Sequence, residues 1–156
     1  MKWITRERPK IDRVACPWLV ARFIDAAPEF LFVPPDRVLP EAQRTGAIPF
    51  DVPGVALSHD DALCSFDAFL RDYKLMAPAL ADLALIVRGA DTGALDLAPQ
   101  APGLLAVSLG LSALFPDDHV MLRHGFVMYD ALYLWLLRGR GETHGWPPAA
   151  APGDHP

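Results

Sequence analysis

Asp12-Arg13-Val14-Ala15-Cys16-Pro17-Trp18-Leu19, closed by Arg22-Phe23-Ile24-Asp25, is the stretch on which the reading of this chain turns. Proline breaks a helix interior but suits the first helical position, where its missing N–H has no partner to lose. The sequence therefore predicts a helix from about Pro17 to Asp25, with Cys16 as its cap. Leu19, Val20, Phe23 and Ile24 share its buried face, and Arg22 sits toward the edge. A cysteine at such a cap, with Arg13 and Arg22 in reach, has a helix dipole and two cations to favour its thiolate. The competing reading makes Cys16 a small buried residue without chemistry.

Outward from that helix, Trp3 to Arg6 reads as a short strand, and Phe30 to Val33 as a second, stopped by Pro34-Pro35. Arg37 to Arg44 is a short helix ending at Gly46. Ala47 to Val52 and Val55 to Ser58 flank the turn dipeptide Pro53-Gly54 and suggest a hairpin. The rest is helical. Ser65 can cap a helix whose Phe66, Phe69, Leu70 and Tyr73 follow the amphipathic spacing. Pro78 opens another, with Leu80, Leu83, Ala84 and Val87 inward and Gly89 ending it. Leu104 to Leu114 is apolar nearly all round, as a central helix would be. Pro116-Asp117-Asp118 starts the last helix, to about Arg138. The expected fold is α+β: a mostly helical single domain over 1–138, with a small sheet or hairpin in its N-terminal third. Residues 139–156, rich in Pro, Gly and Ala, read as a disordered tail.

A length of 156 residues suits one domain, and a hydrophobic content of 52% argues against disorder. Met1 to Lys10 is too charged for a signal peptide, and the longest apolar run, Gly103 to Phe115, is too short to span a bilayer. A cytoplasmic, membrane-free protein with reduced Cys16 and Cys64 is expected. The net charge of -5 speaks against non-specific nucleic-acid binding. Lys2, Arg6, Arg8, Lys10 and Arg13 nevertheless make the N-terminus basic, either as a solvated segment or as an anion-attracting rim.

Chemistry is sought where polarity is costly. His124 lies on the stripe Val120, His124, Val127, Ala131, Leu134, which would face the core, and a buried imidazole needs partners. His59 follows an apolar strand in a loop, Asp67 lies in a helix first turn, and Asp91 follows a helix end. Each has an ordinary structural explanation. Together His59, Asp67, Asp91 and His124 have the donor types of an imidazole–carboxylate site for a divalent transition metal, with Zn, Fe and Mn not distinguished. Such a site with an open position would make an enzyme the alternative function, as would a redox-active Cys16. The aromatic stripe Phe126, Tyr129, Tyr133, Trp135 is a candidate homodimer face, though such stripes are more often core.

The opening run is also familiar as a pattern. With Glu29-Phe30-Leu31-Phe32-Val33-Pro34, Ser58-His59, Cys64-Ser65-Phe66-Asp67, Ile86-Val87-Arg88-Gly89-Ala90-Asp91-Thr92, His124-Gly125 and Tyr129-Asp130-Ala131-Leu132-Tyr133, it resembles the C-terminal domain of the ChrB family of chromate-resistance regulators. The resemblance implies a domain that binds or senses a metal ion or an oxyanion such as chromate. DNA contact belongs to a separate region of that family, so no direct nucleic-acid partner is expected. Relatives keep His59 and Asp91 and an acid at Asp67, but some have His-Asp-x-Asp where this chain has Arg88-Gly89-Ala90-Asp91. An arginine there suits an oxyanion, which Arg13, Arg22 and Arg88 would cradle beside a thiol, Cys16 or Cys64, open to oxidation.

Overall fold

The computed structural model describes residues 1–141 and 143. Most of the expected tail, 142 and 144–156, lies outside the described residues. Three strands, β1 (Lys2–Arg6), β2 (Glu29–Val33) and β3 (Ile48–Pro49), form a parallel sheet in the order β2-β1-β3. Six α-helices surround it: α1 (Asp12–Leu19), α2 (Val38–Thr45), α3 (Ser65–Asp72), α4 (Pro78–Thr92), α5 (Ala101–Leu114) and α6 (Asp118–Leu134). The α+β expectation holds, with helix dominant. No helix among the described residues is long and apolar enough to cross a membrane.

β1 is the central strand, and the alternation of a pleated strand divides the interior in two. Ile4 packs with Val38, Ala42, Ala47 and Val52 on the α2 side. Trp3, on the other face, joins the larger core with Trp18, Leu19, Phe66, Phe69, Leu83 and Tyr129. The segment after α2 joins the sheet only through Ile48–Pro49, which runs parallel to β1. Beyond Pro49 the chain forms a loop in place of the expected hairpin, closed by a hydrogen bond from the Asp51 N–H to the Leu57 carbonyl at 2.8 Å.

Three helices differ from their sequence expectations for definable reasons. α1 begins at Asp12, so Cys16 and Pro17 lie inside it. Its start is set upstream, where the Ile11 carbonyl accepts the Ala15 N–H at 2.9 Å. Burial of Val14, Trp18 and Leu19 offsets the hydrogen bond that Pro17 cannot make. The helix then loosens into a π turn, Val20–Ile24. α4 passes through Gly89 and ends at Gly93, whose φ of 77° supplies the left-handed cap. Gly89 serves close packing, since a Cβ there would stand 2.9 Å from the Ala101 Cβ. α5 is peripheral: its buried residues are Ala101, Leu104, Ser108 and Ser112, while Val107, Leu109 and Leu114 face outward.

Candidate metal centre

Two buried carboxylates anchor the site, and each is tied to a residue forced into positive φ. Asp12, the first residue of α1, is 2% exposed; Ile11 before it has φ 45°. A β-branched residue is costly there, and the buried Tyr129 hydroxyl holds it by donating to the Ile11 carbonyl at 2.9 Å. Asp51, 3% exposed, itself has φ 51°. It follows Phe50, whose N–H donates to the Ile4 carbonyl of β1 at 3.0 Å. Strain of this kind persists only where the surroundings over-determine it, and it gathers at functional sites.

His59 reaches over these groups from the loop between β3 and α3. Its Nε2 lies 3.3 Å from Asp12 Oδ2, 3.4 Å from Asp51 Oδ1 and 3.2 Å from Asp91 Oδ2. Asp91 comes from the last turn of α4, the negative end of that helix dipole, where a carboxylate is ill-placed unless a cation meets it. Asp51 is occupied elsewhere. Ser65 Oγ donates to its Oδ1 at 2.9 Å, while Arg6 (2.5 Å) and Arg13 (3.1 Å) pair with its Oδ2.

The electrostatics arise from crowding. A hydrogen bond to Asp12 raises the His59 pKa to about 9, assisted by the charges of Asp91 and Asp51. Burial, then the Asp12 charge, raises Asp91 to about 7. Burial and Asp12 also push Asp51 up, against the pull of Arg6 and Ser65. The site thus favours protons on His59 and Asp91, which a bound cation would replace.

The donors of Asp12, His59 and Asp91 all lie within 4.8 Å of one another. Ligand atoms about 2.1 Å from a shared ion stand roughly 3.0–3.4 Å apart between square and tetrahedral angles. The two His59–carboxylate separations already match that spacing, so this one-imidazole, two-carboxylate set fits a divalent ion and leaves coordination positions open.

His59 and Asp91 are thus brought together as the sequence suggested, while Asp67 and His124 stand apart from them. Asp67 Oδ2 accepts the Cys64 N–H at 3.1 Å as part of a capping box at the start of α3, with Cys64 as the cap in place of Ser65. Arg88 Nε is 3.6 Å from the same oxygen. His124 is exposed and stacks on Phe115, the ring centroids 4.2 Å apart, because the buried face of α6 is Met121, Leu122, Gly125 and Tyr129. Tyr129 is therefore core, which removes it from the expected aromatic dimer face.

The three arginines do not meet on one anion pocket. Arg13 pairs with Asp51, Arg88 with Asp67, and Arg22 with Asp130, at 2.9 and 2.7 Å, while lying over the Phe126 ring. Nor does either thiol favour its anion. Burial followed by the Asp12 charge raises Cys16 well above the ordinary thiol range, and the same two causes raise Cys64. Asp12 and Asp51 escaped the sequence reading. Asp12 read as a partner of the adjacent Arg13, and Asp51 was absorbed into a hairpin that does not form. The one available signal was an acid at each end of apolar segments that must bury.

This is an α+β domain in which a strand, a strained loop and two helices converge on one imidazole and three carboxylates. The chain belongs to the family described as ChrB, C-terminal domain, which matches residues 3–136. It is 33% identical over 133 residues to Protein ChrB of Cupriavidus metallidurans, an overlap of 85% of this chain and 40% of that protein. The chain therefore spans well under half the length of that relative. No solved structure matches it.

Proposed function

We propose that this ChrB-type domain binds a divalent transition metal through Asp12, His59 and Asp91, and that metal occupancy is how it serves chromate resistance. The observation that carries the proposal is the placement of His59 Nε2 at 3.2 and 3.3 Å from two carboxylate oxygens of separate helices. The oxygen-rich set suits Mn, Fe or Zn better than a thiolate-seeking ion, because neither cysteine belongs to it. Arg6, Arg13 and Ser65 hold Asp51 as a fixed acceptor behind His59, which orients the ring. Titration calorimetry of metal-free protein with Mn²⁺ and Zn²⁺ tests the reading. One equivalent should bind, and affinity should fall at least tenfold in Asp12→Asn and in Asp91→Asn. Unchanged affinity in both variants sinks it.

One observation favours a second reading, an oxyanion ligand. Arg88 Nε is buried without a hydrogen-bond partner, and its carboxylate neighbour stands beyond hydrogen-bond reach at 3.6 Å. An anion arriving there would complete an under-used guanidinium. Thermal stabilisation by chromate in the metal-free protein, lost in Arg88→Gln, is the result that this reading requires.

A further inference from the structure

The face of the molecule built by α5 and α6 is inverted for a helix pair at a water boundary. Over Ala101–Leu114, α5 carries no charged or amide side chain. Its two serines point inward, and the buried Ser108 Oγ has no hydrogen-bond partner. The outward face is Gly103, Ala106, Val107, Leu109, Gly110, Ala113 and Leu114. Val107 is 51%, Leu109 46% and Leu114 68% exposed. α6 packs against α5 across a short connection, and adds Val127 at 67% and Leu134 at 51% exposed. The stripe Val120, His124, Val127, Ala131, Leu134 is apolar because it faces a partner, not the core of its own chain. Scattered exposed leucines need no explanation, but a neutral two-helix face does.

We infer that this face is covered by a second copy of the chain, related by a twofold axis. α5 is about 21 Å long, and with α6 beside it the face is about 20 Å wide. That is on the scale of the roughly 600–800 Å² per partner that a stable dimer buries. A protein of net charge -5 repels itself elsewhere, and α5 contributes none of that charge. Without charges the face cannot select a different partner by electrostatics, whereas a twofold axis makes one patch serve both sides. The glycines and alanines on α5 let the two backbones approach closely, as a helix crossing requires.

Sedimentation velocity on the full chain tests the inference. The wild type should sediment as a dimer. Val107→Glu and Val127→Glu should each sediment as monomers with the far-UV circular dichroism of the wild type. Leu39→Glu, on α2 away from this face, should remain a dimer. A wild type that is monomeric over its whole soluble range overturns the inference, as does a dimer that survives both glutamates. A monomer that binds lipid vesicles through Val107 also overturns it, and assigns the face to a membrane surface.

Discussion

His59 Nε2 and Asp91 Oδ2 stand 3.2 Å apart, one on a loop and the other in the last turn of α4. The pair closes the open side of a buried carboxylate cluster, and its protonation ties stability to pH. Asp91 has a folded pKa near 7, above its unfolded value, so its contribution is complete in acid and is lost as pH rises through about 7. His59, raised to about 9, contributes fully below its ordinary value near 6.5 and loses that contribution as pH rises through about 9. Metal-free protein should therefore lose several degrees of Tm between about pH 5 and pH 9. Differential scanning calorimetry across that range checks it. A flat profile, or one unchanged in His59→Gln, contradicts the pairing.

Asp67 acts in this structure as a cap. Asp67→Ala should cost about 1–2 kcal/mol of stability, read by urea unfolding, because the Cys64 N–H and Arg88 both lose their acceptor. Its metal affinity should stay within about twofold of the wild type. A loss as large as that of Asp91→Asn would return Asp67 to the ligand set.

Arg8 clamps the turn between α5 and α6. Its guanidinium donates to the carbonyls of Ser112, Phe115 (3.1 Å) and Pro116 (2.6 Å), and its backbone N–H to Asp118. Arg8→Ala should destabilise by about 1–2 kcal/mol in chemical denaturation, with metal binding unaffected.

Gly125 lies where α6 crosses α1, and a Cβ there would run into the Val14 side chain. Gly125→Ala should cost about 1–3 kcal/mol by overpacking, enough to lower Tm by several degrees. Since Val14 is two residues from Asp12, the same variant should weaken metal binding if α1 shifts.

Neither thiol should behave as a sensor in the native state. Cys16 is buried inside α1 and Cys64 is buried at the α3 cap, with their acidities lowered by burial and Asp12. Alkylation of native protein at neutral pH should be slow for both and become fast on unfolding. Rapid native modification of Cys16 contradicts the structure.

The elements with strong local signals were legible in the sequence: β1, β2, α2 with its Gly46 cap, and the Pro78 start of α4. What failed was sidedness. α5 and the Val120–Leu134 stripe are apolar, and apolarity alone cannot tell a core from an uncovered face. Pro17 misled because tertiary burial of Trp18 and Leu19 outweighed a local preference. The site was half legible. His59 and Asp91 stood out as polar groups beside apolar segments, but Asp12 and Asp51 depend on Ile11 and Asp51 adopting positive φ. No propensity predicts that conformation, because the Tyr129 hydroxyl and the Arg6–Asp51 pair impose it from a distance.

The central claim is that one ion sits between two helices and a loop. A crystal grown with Mn²⁺ and measured near the manganese absorption edge tests it most directly. An anomalous peak about 2.0–2.3 Å from Asp12 Oδ2, His59 Nε2 and Asp91 Oδ2 is the predicted result. Full occupancy elsewhere, or none at saturating metal with His59 still lying on the carboxylates, contradicts it.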